Sequence, residues 1–256
     1  MLTVKFKKTL ITFIIVCFSI LSIFAVNVDK HSIPTVILTF DDGHHSVYDI
    51  AMPYMNKYGF KGTAYIVSDW INDTATYKMT GTQLDELYSK GWAIANHTKD
   101  HTDLTKLTEQ EIDDELIKCA NVLLARGYTR SAYHVAYPYG NVNDTVLTAM
   151  KETGMLTGRT LHPEEQTITF VDPRLLTPSL YVFDTTTLKS AKTTLDNAIK
   201  NSHPFIVVFH KIVPSLTGNR DEWTTTNFKA FIDYIALKKV RVITIDEFYK
   251  ELTNTR

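Results

Sequence analysis

The sequence predicts an α/β fold, a distorted and closed or nearly closed (β/α) barrel of about seven parallel strands. Three observations predict it. Short, almost continuously apolar runs alternate with helix-length segments from residue 35 onward, the pattern of strands buried on both faces. Glycines at 59, 91, 127 and 154 each stand where a helical stretch should stop. Carboxylates and imidazoles directly follow several of the strands, where parallel α/β folds collect their chemistry. A doubly wound open sheet satisfies the same pattern.

The elements follow in order. Thr35–Phe40 (TVILTF) is β-branched and apolar, hence a buried strand, and 47–58 is a helix closed by Gly59. Strand 62–67, helix 82–90 and strand 92–96 come next. Thr108 with Glu111 reads as a capping box that opens a helix running to Arg126. Strand 132–137 and helix 144–153 complete this half. Beyond it, short strands are expected near 157–161 and 180–183, then helix 187–200 and the strongly apolar strand Phe205–Phe209 (FIVVF). Helix 227–237, strand 240–244 and helix 246–252 end the chain.

Composition narrows the function. The 256 residues are 44% hydrophobic and 21% charged, which excludes wholesale disorder and a polytopic membrane protein. A net charge of −1 offers no basic excess for nucleic acid. Two cysteines are too few for a disulfide framework or a Cys-rich zinc module. Residues 1–26 stand apart: Lys5, Lys7 and Lys8 precede 18 uncharged residues. That arrangement reads as a signal peptide or an N-terminal membrane anchor, with a buried core helix as the other reading. Residues 27–256 then form one catalytic domain. Removing residues 1–25 leaves a charge of −4 and a single cysteine, Cys119.

The polar residues at the strand ends carry the chemistry. Thr35–Phe40 runs into Asp41-Asp42-Gly43, and strand 92–96 into His97-Thr98-Lys99-Asp100-His101. Strand 132–137 runs into Pro138-Tyr139-Gly140, and Phe205–Phe209 into His210. Two histidines four apart can converge on a metal, and a carboxylate completes a three-ligand set with open positions. Such a pair is also a common solvated loop feature, and Asp-Asp-Gly alone is also an Asx turn. Adjacent aspartates at a strand end point in different directions, so one can bind a metal while the other serves as a base. His210 is either a hydrogen-bonded core histidine or a general acid near neutral pKa.

This ordered set resembles the polysaccharide deacetylases with a NodB-type domain, carbohydrate esterase family 4. Thr39-Phe40-Asp41-Asp42-Gly43 looks like the first family motif, and His97-Thr98-Lys99-Asp100-His101 matches its H-(S/T)-x-x-H motif. Pro138-Tyr139-Gly140 matches the end of the third, and Val207-Val208-Phe209-His210 is similar to the fifth. The resemblance implies a distorted barrel with one divalent metal, zinc with cobalt or nickel as alternatives. It implies that Asp42, His97 and His101 bind the metal and that Asp41 is the general base. It implies that His210 protonates the departing amine, that the Tyr139 backbone N–H stabilises the oxyanion and that Thr98 braces the loop. The implied reaction is hydrolysis of N-acetyl groups on an N-acetylglucosamine-containing surface polysaccharide, releasing acetate. The expected setting is extracellular, or the outer face of the cytoplasmic membrane with N-terminal membrane association, as a monomer without nucleic acid.

Two departures stand out. The third motif of the family often opens with an arginine that orients the base; Ala136 stands there, leaving Arg159 or Arg174 to replace it. The Asp-Trp pair of the fourth motif is missing, although Asp172 and Asp184 lie in the right stretch. An O-acetyl esterase or small-molecule amidohydrolase on the same scaffold, and a degenerate sugar-binding protein, are therefore competing readings. Among the remaining residues, His44 and His45 sit near the rim, and Trp70, Trp92 and Trp223 are candidates to stack on sugar. Trp92 fits the core better, and Trp223, in a polar stretch, suits a sugar subsite. Asn72, Asn96 and Asn143 fit the N-glycosylation pattern, with Asn96 a coincidence of the histidine motif.

Overall fold

The computed structural model describes residues 34–73, 75–161 and 172–254. The apolar stretch 1–26 lies outside them, and among the described residues no helix is long and apolar enough to cross a membrane. Among the described residues eight strands form one parallel sheet, seven of them along its main path: β1 (Thr35–Phe40), β2 (Thr63–Ile66), β3 (Ala93–Asn96), β4 (His134–Ala136), β5 (Thr157–Arg159), β6 (Leu180–Tyr181) and β7 (Phe205–Phe209). Their order is β5-β4-β3-β2-β1-β7-β6. A short pair, β8 (Lys211–Val213) with β9 (Glu222–Thr224), lies apart, and β10 (Arg241–Val242) joins β1. β1 shares one edge between two partners: its start pairs with β10 and its end with β2.

The sheet curls into the expected distorted barrel rather than staying open. Closure comes from the chain that leads into β6. Leu176 bridges Arg159, its amide donating to the Gly158 carbonyl at 2.8 Å and its carbonyl accepting from the Thr160 amide at 2.9 Å. Four residues later Leu180 pairs in register with Val207 of β7. One continuous segment thus joins the β5 edge to the β7 edge.

Alternation along β1 explains what faces where. Val36, Leu38 and Phe40 pack outward into the main core, whereas Ile37 packs with Ala93, Ile206, Ile243 and Phe248 inside. A period of two places Thr39 and Asp41 on the inner face with Ile37. The Asp41 amide continues the ladder to the Phe209 carbonyl at 2.9 Å, so strand geometry reaches into the site. Phe40, Trp92, Phe209 and Phe228 form an aromatic knot outside the barrel, with ring centroids 5.3 to 6.1 Å apart.

The helices are α1 (Met52–Met55), α2 (Gly81–Ser89), α3 (Glu109–Ala125), α4 (Asp144–Glu152), α5 (Leu188–Lys200), α6 (Thr225–Leu237) and α7 (Ile245–Asn254). The Thr108–Glu111 capping box is formed at α3, and Thr80 with Gln83 forms another at α2. The expected single helix over 47–58 is instead a π turn (Val47–Ala51), α1 and a 3-10 turn (Asn56–Tyr58) that ends at left-handed Gly59. Pro53 explains the break: it has no N–H to donate to residue 49, and the Met52 amide reaches back to Val47. β8 and β9 have no counterpart in the expected elements, because three-residue strands carry too little periodicity to detect.

Candidate metal centre and active site

Every parallel strand ends on the same rim, so residues far apart in sequence meet there. Asp41 and Asp42 leave β1, His97 leaves β3, Tyr139 follows β4, Arg159 ends β5 and His210 follows β7. Asp42, His97 and His101 come together: one ligand atom from each lies within 4.8 Å of the others. The Asp42 Oδ1 approaches Nε2 of both His97 and His101 at 3.5 Å.

The local backbone holds these groups in place. Asp42, Thr98, His101 and Tyr139 all have φ between 58° and 71°, a region that costs energy for non-glycine residues and persists where surroundings enforce it. The histidine loop is braced throughout. Asn96 Oδ1 accepts from the Thr98 amide at 2.8 Å while its Nδ2 donates to the Leu116 carbonyl at 2.9 Å. Thr98 Oγ1 accepts from the His101 amide at 3.0 Å. Glu115 Oε2 accepts from the amides of Lys99 and Asp100, both at 3.0 Å. Gly140 is required next door: with φ of 74°, a Cβ there would lie 2.4 Å from the Leu161 amide nitrogen.

The donor set fits a divalent cation. His97 Nδ1 lies 2.8 Å from the Ala136 carbonyl, which can only accept, so Nδ1 carries the proton and Nε2 presents its lone pair. Among the described residues Asp42 Oδ1 is buried without a hydrogen-bond donor, a costly arrangement unless a cation sits against it. Burial opposes ionisation of Asp42, yet its contact with His44 holds the carboxyl well below the usual range. Burial and the neighbouring His97 push His101 down to about 4, so it is neutral and able to ligate at neutral pH. Two imidazoles and one carboxylate suit a first-row dication with open positions.

Beside this centre lies a second group on the inner barrel face. Asp41 and Arg159 are each 1% exposed and form a short charge-assisted hydrogen bond through Oδ2 and Nη2. Among the described residues Asp41 Oδ1 has no hydrogen-bond partner. His210 Nε2 lies 3.8 Å from Asp41 Oδ2, its ring is edge-on to Tyr181 at 5.2 Å, and its buried Nδ1 makes no hydrogen bond among the described residues. Arg159, not Arg174, occupies the place that Ala136 leaves open. Arg174 is held by Asp172 and by the Met155 carbonyl. Asp172 caps the turn that carries Arg174, and the Asp184 amide donates to the Arg220 carbonyl.

Other expectations divide. His44 reaches the site, with Nε2 3.4 Å from Asp42 Oδ2. His45 instead joins Asp49 and lies 2.7 Å from the Gln83 side chain. Trp70 stacks on His101, its ring centroid 5.2 Å away. Tyr139 is 57% exposed and packs edge-on to His101 at 4.8 Å. Trp92 is a core residue as expected. Trp223 does not face a sugar subsite: it is 2% exposed on β9, its ring packs on Phe209 and Phe231, and its indole N–H donates to the Thr186 carbonyl at 2.8 Å. The polar stretch around it misled because β8 and β9 turn its ring inward. Asn96 is wholly buried and Asn143 caps α4 through its side chain, so neither side chain is a free acceptor; Thr74, the third residue of the other pattern, is not described.

Residues 29–158 match the family model described as polysaccharide deacetylase. The chain is similar to a poly-beta-1,6-N-acetyl-D-glucosamine N-deacetylase of Staphylococcus epidermidis, 32% identical over 146 residues, 53% of this chain and 50% of that one. It is also similar to the protein of the same name from Staphylococcus aureus strain MRSA252, 28% identical over 158 residues, 56% of this chain and 54% of that one. The chain thus spans about half the length of the curated relatives it matches. In fold it is similar to a family 4 acetyl xylan esterase from Clostridium thermocellum solved with a cobalt ion. That match has a TM-score of 0.60 and 17% identity, covering 85% of this chain and 91% of that one.

Proposed function

The chain belongs to the polysaccharide deacetylase family, and from that premise we propose that it hydrolyses N-acetyl groups of an N-acetylglucosamine-containing polysaccharide, releasing acetate. The observation that carries this reading is the Asp42–His97–His101 cluster with Asp41 and His210 set beside it at one barrel mouth. The names of the staphylococcal relatives support the substrate class.

An amide is a weak electrophile with a poor leaving group, so its hydrolysis needs a strong nucleophile and a proton for nitrogen. A divalent cation on Asp42, His97 and His101 supplies Lewis acidity and a more acidic water; the two-imidazole, one-carboxylate set favours zinc, with cobalt or nickel able to replace it. Asp41 acts as general base through Oδ1, while Arg159 fixes Oδ2 by a hydrogen bond. His210 acts as general acid and protonates the departing amine. The Tyr139 backbone N–H serves the developing oxyanion, and the strained turn at Pro138-Tyr139-Gly140 presents it. The lysine-led apolar N-terminus supports export, with the domain outside the cell or anchored to the outer face of the cytoplasmic membrane.

The test is acetate release by the full-length chain from β-1,4 and β-1,6 N-acetylglucosamine oligomers, with zinc or cobalt and with chelator. The expected result is release that requires both the cation and Asp41, and that Asp41→Asn removes. Equal release by Asp41→Asn, or none from a folded cation-loaded protein, overturns the reading.

A further inference from the structure

Behind the metal centre lies a buried cation that the reaction as described does not use. Lys78 is 7% exposed. The backbone around it pairs with the turn that carries Asp42: Lys78 bridges His44, the Met79 amide donates to the Gly43 carbonyl, and the His45 amide to the Tyr77 carbonyl, both at 2.8 Å. Its ammonium sits over the face of Trp70, 4.2 Å from the ring centroid, and the same indole lies 5.2 Å from the His101 ring, centroid to centroid. Lys78, Trp70 and Asp42 line one small cavity. Among the described residues the ammonium forms no ion pair. Asp42 and Asp73 act on it through space only.

Burying an ammonium without an acid partner is unfavourable, and an aromatic face compensates only in part. A fixed positive charge behind a metal ligand has a definite consequence. It repels an incoming dication across a poorly screened interior, and it offsets part of the negative charge that Asp42 lends to that dication. The bound ion is held less tightly and stays more electron-poor, which favours polarisation of an acyl oxygen.

We propose that Lys78 is a positioning residue whose charge, seated on Trp70, lowers the dication affinity of the Asp42–His97–His101 centre and raises its electrophilicity. This deepens the proposed function and rests on it for the identity of the centre. Its direction is opposite to that of a merely structural lysine, whose removal would loosen the site.

The experiment is a Co2+ titration of the full-length chain, read by cobalt absorption and by tryptophan emission. Trp70 adjoins His101, so cobalt should quench part of the emission, and Trp70→Phe should remove that part. Lys78→Met keeps the stem and a sulfur–aromatic contact while deleting the charge. It should bind Co2+ at least about tenfold more tightly, with a lower kcat for acetate release at saturating metal; Lys78→Arg should keep wild-type affinity. Unchanged or weaker binding by Lys78→Met overturns this inference alone and leaves the deacetylase reading standing. No Co2+ binding by the unaltered chain overturns both. Normal cobalt binding without acetate release overturns the substrate reading, and the change in affinity still decides the role of Lys78.

Discussion

Arg159 at the end of β5 meets Asp41 at the end of β1, 118 residues away, and both are almost completely buried. Three strands separate them along the sheet, and only the curl of the barrel brings them together. The pair gives Asp41 the arginine partner that the third motif lacks at Ala136.

Arg159→Ala would strand the Asp41 carboxylate in the barrel. Breaking a buried pair from one side costs about 3–5 kcal/mol, so urea unfolding should show a loss of that size. Acetate release should fall by at least about 10²-fold, since the base is no longer held. Adding Asp41→Asn should recover much of the stability and none of the activity, which separates the two roles.

Asn96 touches no ligand atom, yet it ties His97 and Thr98 to the α3 helix. Asn96→Ala should weaken Co2+ binding by about 10–100-fold, the usual cost of losing an outer support of a metal ligand. A titration followed by cobalt absorption checks this, with circular dichroism to verify the fold.

His134 lies at the opposite end of its strand from the site, 2% exposed, against Thr157 and the Tyr249 ring. Burial lowers its pKa from 6.5 to about 4, the charge of Asp246 only partly opposing. The unfolded chain therefore takes up a proton below pH 6.5 that the folded protein refuses until about pH 4. Stability from this group is present above pH 6.5 and is lost as pH falls toward 4. Between pH 7 and 5 the loss is about 2 kcal/mol. Urea unfolding at both values should show a smaller acid loss in His134→Leu than in the unaltered chain.

Trp223 is structural. Trp223→Ala should cost about 3–5 kcal/mol through the cavity beside Phe209 and Phe231. The folded fraction should keep its KM for the oligomers. A raised KM without destabilisation would return Trp223 to a sugar subsite.

The N-terminal two thirds of the site was legible in sequence because it is local. A strand of period two ends in Asp41-Asp42, and His97 and His101 share one short loop whose spacing survives in the linear text. Capping boxes and left-handed glycines likewise act over three or four residues, and α3 appears where Thr108 and Glu111 put it. Trp223 and residues 47–58 depart from the sequence expectation where a nearby polar composition or one proline changes the local geometry.

Residue types and their order alone determined the α/β class, the alternation of strand and helix, and the carboxylate and imidazole groups at the strand ends. Tertiary structure alone decided which arginine faces Asp41, which tryptophan stacks on His101 and where Lys78 is buried. It also decided how the barrel closes, through Leu176 and Leu180. The physical reason is range. Backbone sterics and hydrogen bonding bias each residue by its near neighbours, whereas a partner for a buried charge is chosen by the curl of the sheet, which no short window of sequence contains.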